Sequence, residues 1–508
     1  MTATESPGRE AQWAAVLRRV ASVIDRRPNL VLPVWIFAYF AVLWRPLHRP
    51  MWFDELLTYY AATAPTAAAF LHSRFLDPTP PLSYVLVRAS VALFGDSAFA
   101  ARIPSAVGFL VASLIVYGLI TRRFGGGVGL AALAMMWSSS LTIYAVESRP
   151  YGVVLAFFTL ATLCWLKAIR QKGWSWWHAG LAGSLVAMFA THCFSPPFAA
   201  AIGVGELVRA RAARRIDKRV WASILAPLGV LPLYLPLVRN ARALLCPAAF
   251  APTWISFPKT YLAVFAPLLP AIGMIAVLWA ASYRRGERRR AMARPYETAF
   301  AVAAVVAPSI TISYAMWSGS PFWLRYCIGS VLGAVLILAV GAASASRRNA
   351  GLAVGLAGLI LVLFGVTTGG TGRLADLYEN TSSAYRAVRT DLPFVAASGV
   401  TFLEMDHREA PDFIHRLYYL TDRESALRRH STIFEGFPVL KQWFPIRGNV
   451  AQYRDFVREN GHFMVLGTKA YPEDWLLGRL EEDGAEVRLV GKMKTGYQDS
   501  ELYEVVVK

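Results

Sequence analysis

The residues best suited to chemistry are a few charged side chains placed at the edges of long apolar segments. Asp54 and Glu55 are adjacent in the stretch WFDELLTYY. If this stretch is a helix, the two acids occupy its first turn, where the helix dipole favours negative charge. The alternative is functional: one acid faces a cavity and acts as a general base. Asp77, just before PTPPL, is either a turn residue or a second cavity acid or metal ligand.

A second group of polar residues follows further along the chain. Glu147, Arg149 and Tyr151 lie in YAVESRPYG, between two apolar segments. Charged side chains near membrane depth are costly unless they are paired or face a water-filled cavity, so such residues are functional candidates. Arginine can also hold a phosphate through two parallel hydrogen bonds. His192 and Arg325 lie at the ends of apolar segments. The structural alternative to a ligand role is a polar cap for His192. For Arg325 it is a side chain that snorkels toward the membrane surface.

The composition indicates what kind of elements position these residues. The chain has 508 residues, of which 56% are hydrophobic and only 17% charged. Soluble domains usually have roughly 25% charged residues, so the composition favours a polytopic membrane protein and excludes disordered and disulfide-stapled classes. The net charge of +19 comes from basic clusters between apolar segments rather than from one basic face. We therefore expect these clusters to orient the protein in a membrane and expect no nucleic-acid partner.

The apolar segments predict the domain organisation. We expect a cytoplasmic segment at 1–28, a transmembrane domain at 29–370 with a first outer loop at 45–81, and an extracytoplasmic domain at 371–508. Eleven segments are apolar enough to be spans, and 82–94 is too short for a comfortable one. The positive-inside rule puts the basic clusters in the cytoplasm and the polar candidates on the opposite side. The predicted spans are 29–44, 100–120, 127–145, 150–168, 176–191, 194–208, 220–238, 260–282, 298–317, 324–343 and 350–369.

The last part of the chain has the pattern of a small α/β domain. GVTFLEMD at 399–406 and GHFMVLGTK at 461–469 resemble buried strands, and the two final alternating stretches also favour strands. DWLLGRLEED at 474–483 has helical spacing. We expect these strands and helices to alternate in one domain of ordinary size.

The order of the polar motifs resembles that of a known family. The matching stretches are WFDELLTYY, DPTPPLSYVL, LFGDSAFAARIPSAVGF, YAVESRPYG, THCF and RYCIG. The chain resembles the bacterial membrane glycosyltransferases related to protein O-mannosyltransferases and to the lipid A aminoarabinose transferase, which share the GT-C fold. This resemblance implies an α-helical polytopic protein with roughly 11–13 transmembrane helices.

The resemblance also implies a reaction and roles for the residues. A sugar would move from a polyprenyl-phosphate donor to an acceptor hydroxyl with inversion, on the outer face of the bacterial inner membrane. Asp54, with Glu55 beside it, would be catalytic. Arg149 and Arg325 would hold the donor phosphate. The residues expected to bind the substrates are Asp77, Glu147, Tyr151 and His192.

Two further expectations concern the substrates and the metal. The protein O-mannosyltransferases carry extra lumenal sugar-binding domains that are not expected here, and Thr79 stands before Pro80 and Pro81 where the aminoarabinose transferase has a basic residue. We therefore expect neither a protein acceptor nor aminoarabinose, and we expect an envelope glycan, glycolipid or lipopolysaccharide as the acceptor. Some members of the family hold a divalent metal. This chain has no strong ligand cluster in its sequence, so a metal is possible but we expect none to be obligatory.

Two other function classes fit part of the pattern. A polytopic transporter or lipid flippase would also have many spans and embedded charges, but it predicts inverted repeats and interrupted helices near the midplane. A non-catalytic scaffold would leave Asp54, Asp77 and Arg149 without a purpose.

Overall fold

The computed structural model forms two compact units. One unit comprises Met1–Trp44, Arg102–Pro232 and Pro252–Gly369, and we call it the helical unit. The other comprises Arg45–Ala101, Leu233–Ala251 and Gly370–Lys508, and we call it the mixed unit. The residues that the structure describes are 9–73, 79–236, 239, 251–283, 293–346, 350–368, 385–386, 388–389, 391–429, 436–468, 475–495 and 498–507.

The first six helices of the chain belong partly to the helical unit and partly to the mixed unit. They are α1 (Arg9–Arg26), α2 (Val31–His48), α3 (Phe53–Ala62), α4 (Ala67–Ser73), α5 (Leu82–Phe94) and α6 (Ala98–Phe124). The remaining helices of the helical unit are α7 (Gly126–Trp137), α8 (Tyr151–Ala168), α9 (Trp176–Thr191), α10 (Pro196–Ala212), α11 (Lys218–Leu225), α12 (Ser256–Phe265), α13 (Leu269–Tyr283), α14 (Pro295–Ser318), α15 (Ser330–Ser346) and α16 (Ala350–Thr368). Each of the eleven predicted apolar segments contains helix, so a multi-pass membrane protein is confirmed.

The apolar helices differ in whether they can span a bilayer alone. Among the described residues, five helical stretches are long and apolar enough: Pro28–His48, Ala98–Phe124, Tyr151–Ala168, Ser256–Ala280 and Pro295–Ser318. A sixth arises if α7 and the 3-10 helix Ser140–Val146, which meet at 78°, form one broken span. Helix α5 has 13 residues. At about 1.5 Å per residue it is too short to cross a hydrocarbon core of about 30 Å, as its sequence predicts.

A close approach of α6 and α8 positions the YAVESRPYG segment. Gly152, the second residue of α8, lies beside Ser105 of α6, whose Oγ accepts the Gly152 N–H (3.2 Å) and donates to the Tyr144 carbonyl (2.7 Å). A Cβ at Gly152 would lie 2.1 Å from the Ser105 carbonyl oxygen, and one at Gly108 would lie 2.6 Å from the Gly152 carbonyl oxygen. The glycines are therefore needed for the two helices to meet at this distance.

The mixed unit is built on a six-stranded sheet in the order β3-β2-β1-β4-β6-β5. Strands β1 to β4 pair in parallel, and β6 pairs antiparallel with both β4 and β5. The strands are β1 (Phe394–Ala396), β2 (Leu417–Thr421), β3 (Asn449–Gln452), β4 (His462–Gly467), β5 (Glu486–Thr495) and β6 (Gln498–Val506). The helices among them are α17 (Gly399–Arg408), α18 (Pro411–Ile414), α19 (Arg423–Arg428), α20 (Gly436–Trp443), α21 (Tyr453–Glu459) and α22 (Trp475–Glu482).

Alternate residues of the central strands pack into two hydrophobic cores. Phe394 and Met464 lie in one core, while Val395 and Val465 lie in the other. The core that contains Phe394 also contains residues of α3 and α5, such as Leu56 and Tyr84. Helices α3 and α5 therefore share the core on one face of the sheet, and α17 contacts α3 as well as β1 and β2.

The prediction of a strand at 399–406 is wrong, because this stretch forms α17. Ser398 begins the helix by accepting the Val400 N–H (3.2 Å) on its side-chain oxygen. Phe402 and Asp406, four residues apart, are both buried, which is the spacing of one helix face. The apolar residues of GVTFLEMD fit both periods, and the serine cap selects the helix. The structure confirms the strand predicted at 461–469 and the helix predicted at 474–483. It also confirms the strands predicted in the two final alternating stretches, which form β5 and β6.

We expect Gly152→Ala to destabilise the protein by about 1–3 kcal/mol, because the new methyl group overpacks the α6–α8 contact. Gly183→Ala in α9 is the matched control, since a Cβ there has nothing within 4 Å. Thermal unfolding of the purified protein in detergent measures both variants. Equal unfolding midpoints for Gly152→Ala and wild type would show that the close approach is not required.

Candidate functional site

Asp54 and Glu55 lie at the start of α3, and the structure gives them different surroundings. Glu55 is fully buried, and its carboxylate accepts the Trp52 N–H (3.3 Å). This contact satisfies one of the amide groups left unpaired at a helix start. Asp54 is only partly buried. Glu55 thus has the structural role of a helix-start acid, and Asp54 is the acid of this pair that keeps access to its surroundings.

Both ends of α3 are held by charged side chains from other elements of the mixed unit. At the N-terminus, Glu404 of α17 accepts the Phe53 N–H on Oε1 (3.1 Å). At the C-terminus, the Arg88 guanidinium of α5 donates to the carbonyls of Ala62 (3.1 Å) and Ala64 (2.9 Å). An anion at the N-terminus and a cation at the C-terminus both complement the helix dipole. The helix that bears Asp54 is therefore held by both α5 and α17 of the mixed unit.

Two tyrosines continue the contact between α3 and its neighbours. The Tyr60 hydroxyl lies 3.0 Å from His407 Nδ1, and the Tyr59 hydroxyl donates to the Asp96 carboxylate. Burial raises the pKa of both phenols well above their usual range, and the nearby Asp96 adds to the rise at Tyr59. Both phenols therefore stay neutral at physiological pH and serve as hydrogen-bonding and packing groups.

The second group of predicted site residues comes together within the helical unit. It consists of Glu147, Arg149, Tyr151, His192 and Arg325. The rings of Tyr144 and Tyr151 lie 5.2 Å apart, as do those of Tyr151 and His192, and the His192 and Tyr326 rings lie 5.5 Å apart. Tyr326 directly follows Arg325 in the 3-10 helix Leu324–Cys327, which packs against Ser140–Val146. Three separate segments thus meet in one aromatic cluster.

Charged residues surround this aromatic cluster. Glu147 is buried, while Arg149 and Arg325 are partly buried. The charges of Glu147 and Arg325 both act on the Tyr144 hydroxyl, and those of Arg325 and Arg149 both act on Tyr326. Arg325 also lies over the Trp323 ring, with its guanidinium carbon 5.1 Å from the ring centre. The two arginines and the glutamate therefore share one neighbourhood, although they are far apart in sequence.

His192 directly follows α9, and one hydrogen bond shows which of its ring nitrogens carries the proton. Its Nδ1 accepts the N–H of Phe194 (3.1 Å), so the proton of the neutral ring is on Nε2. The Ser195 hydroxyl donates to the Met188 carbonyl (3.0 Å) and fixes the turn that follows the histidine. In this tautomer Nε2 is the hydrogen-bond donor of the His192 ring.

Two further predictions concern Asp77 and the possible binding of a metal ion. Asp77 lies outside the described residues. Among the residues that the structure describes, no group of three or more His, Cys, Asp and Glu side chains is placed to hold a metal ion.

Comparison with known proteins identifies the architecture. Residues 78–239 match the family model described as dolichyl-phosphate-mannose-protein mannosyltransferase. The structure of ArnT from Cupriavidus metallidurans in the apo state covers 94% of this chain and 97% of its own, with a TM-score of 0.53 and 13% sequence identity. ArnT from the same organism bound to undecaprenyl phosphate gives a TM-score of 0.55 at 13% identity, with 94% and 98% covered. This chain has the GT-C fold.

The family match and the fold support each other. The matched region 78–239 includes the YAVESRPYG segment and His192. The family model thus matches part of the chain, and the solved structures show the fold over 94% of it. No match was found among the curated proteins.

The residues that hold α3 carry little signal in the amino-acid sequence. Glu404 lies in a stretch with an ambiguous apolar pattern, more than 300 residues from Phe53. Arg88 carried one usable signal, which is a lone charge within the apolar stretch LSYVLVRASVALF. A charge in such a stretch needs a partner, and here the partners are the carbonyls at the end of α3.

We expect Glu404→Ala to loosen the start of α3, because the Phe53 N–H loses its acceptor at a cost of about 1 kcal/mol. Hydrogen exchange at the first amides of α3 should become faster, while Glu404→Gln, which keeps an acceptor oxygen, should show a smaller change. Glu424→Ala is the control, since this glutamate is exposed and makes only a local ion pair with Arg428. Exchange rates in Glu404→Ala equal to those of wild type would contradict a capping role.

Proposed function

We propose that the protein transfers a sugar from a polyprenyl-phosphate donor to a hydroxyl group of an envelope glycan, glycolipid or lipopolysaccharide. The reaction takes place on the outer face of the bacterial inner membrane. The observation that carries the proposal is the gathering of Glu147, Arg149, Arg325 and His192 around one aromatic cluster inside an apolar helical unit. Such a group of ionised side chains at membrane depth is best explained by a charged ligand. The solved relative that binds undecaprenyl phosphate supports a lipid phosphate as that ligand.

The arginines suit the donor phosphate. Arg149 and Arg325 can each place planar N–H groups on phosphate oxygens, and two positive charges oppose the negative charge that grows as the phosphate leaves. His192 can add a hydrogen bond from Nε2. Glu147 and Tyr151 border the same cluster and are proposed to contact the sugar, whose hydroxyl groups are donors for the carboxylate and whose ring face can stack on the phenol.

Asp54 is proposed as the general base. It takes the proton of the acceptor hydroxyl while that oxygen forms a bond to the anomeric carbon. The bond from this carbon to the phosphate oxygen breaks, and the polyprenyl phosphate leaves with the electron pair. A single displacement inverts the anomeric configuration. Glu55 supports this step indirectly by fixing the start of α3, and Asp77 remains a predicted substrate contact.

The substrates can be identified by mass spectrometry of glycolipids and envelope glycans from cells with and without the gene. The proposal predicts that one sugar is missing from one acceptor in the deletion strain and returns on complementation. A flippase would instead change the distribution of a lipid across the membrane while leaving every glycan structure intact, and this outcome would overturn the proposal.

We expect Asp54→Asn to lower sugar transfer by about 10²–10⁴-fold, because the amide cannot accept the proton of the hydroxyl group. Glu55→Gln is the matched control. Its amide oxygen can still accept the Trp52 N–H, so the loss of activity should be much smaller. The measurement is product formation by purified protein, with thermal unfolding to verify folding. Wild-type turnover in Asp54→Asn would remove this residue as the base.

We expect Arg149→Ala to weaken use of the donor lipid by about 10–100-fold, since a hydrogen bond between charged groups contributes about 1.5–3 kcal/mol. Arg149→Lys should recover only part of the loss, because lysine keeps the charge but not the two parallel bonds. The dependence of the rate on donor concentration measures the effect, and Arg211→Ala at an exposed helix end is the control. Unchanged donor kinetics in Arg149→Ala would refute the phosphate role.

A further inference from the structure

A cavity lies within the helical unit. None of the residues of the aromatic cluster is among its lining residues. It has a volume of about 420 Å³ and is enclosed by parts of α6, α8, α14 and α15. Its walls are apolar and include Leu119, Leu336 and Val340. Trp165 and Phe300, both fully buried, also line it. Nothing in the proposed transfer reaction uses this cavity.

The remaining lining residues give the cavity a strong positive charge. Basic residues from three parts of the chain contribute to it, because the ends of α6 and α8 and the start of α14 meet here. The charged residues of the lining are Arg122, Arg123, Lys167, Arg170, Arg294 and Glu297. Among the lining residues that the structure describes, five cations and one carboxylate leave a net charge of +4.

The one carboxylate is already engaged. Glu297 forms an ion pair with Arg123, and its carboxylate also accepts the backbone N–H of Arg294 (3.2 Å). The nearby Glu206 does not offset the remaining charge, because it is fully buried and binds Arg209 through both oxygens (2.8 and 2.6 Å). Glu206 also accepts the Trp165 indole N–H (3.0 Å). The positive charge of the cavity is therefore available to an anionic ligand.

We propose that this cavity binds an acidic phospholipid of the surrounding bilayer. The phosphate lies among the cations and an acyl chain lies along the apolar walls. Both features are required for the argument: a soluble phosphate would gain nothing from the apolar walls, and a neutral lipid would gain nothing from four excess charges. Basic pockets between transmembrane helices are known to suit acidic headgroups, and each cation near such a surface adds about a fivefold increase in affinity.

The test uses the purified full-length protein in detergent, titrated with palmitoyl-oleoyl phosphatidylglycerol or phosphatidylcholine and observed by native mass spectrometry. We expect the acidic lipid to remain bound and the neutral lipid to dissociate. The double variant Lys167→Gln, Arg170→Gln should weaken binding of phosphatidylglycerol by roughly 25-fold. The control Arg211→Gln, Arg215→Gln removes the same charge from exposed positions outside the cavity lining and should have little effect.

Further measurements separate the possible ligands. Ile337→Trp places a larger side chain on the cavity wall and should also weaken binding, although it removes no charge. Glycerol 1-phosphate should not displace the lipid at millimolar concentration. Equal binding of both lipids, equal effects of the two double variants, or displacement by glycerol 1-phosphate would each overturn the proposal. Tighter binding of undecaprenyl phosphate, weakened by the same two substitutions, would assign the cavity to the donor lipid instead.

Discussion

The free-energy cost of holding ionised side chains inside an apolar helical unit is the constraint on which the site depends. Glu147, Arg149 and Arg325 can be kept there only because they lie close to one another and to polar groups of Tyr144, Tyr326 and His192. The contact between Gly152 and Ser105 then fixes the start of α8, and with it the segment that carries Glu147 and Arg149.

The helix that bears the proposed base is positioned by hydrogen bonds at its ends and by core packing. Helix α3 has only ten residues, which is too short to be stable alone in water. Its ends are held by Glu404 and Arg88, and its apolar face is part of the core under the sheet. This arrangement gives the C-terminal sheet domain a structural role, because it sets the position of the helix that bears Asp54.

Much of this architecture could be predicted from the sequence, because long apolar runs and basic clusters are strong signals. The apolar segments, the shortness of 82–94 and three of the six strands of the sheet, β4, β5 and β6, could be predicted for this reason. The stretch at 399–406 was not predicted correctly, because its apolar residues fit both a strand and a helix and only the Ser398 cap decides between them. The residues that hold α3 could not be predicted either, since Glu404 and Phe53 are brought together by tertiary packing alone. The grouping of Arg149 with Arg325 was suggested by the family resemblance and not by their spacing.

The most direct test of the account is photolabelling with undecaprenyl phosphate that carries a diazirine close to the phosphate, followed by peptide mapping. The account predicts labels on the segments 144–152, 192–194 and 322–327, and it predicts that unlabelled undecaprenyl phosphate removes them by competition. Competed labels found only in other segments, with none in these three, would contradict the claim that this group of charged residues binds the donor.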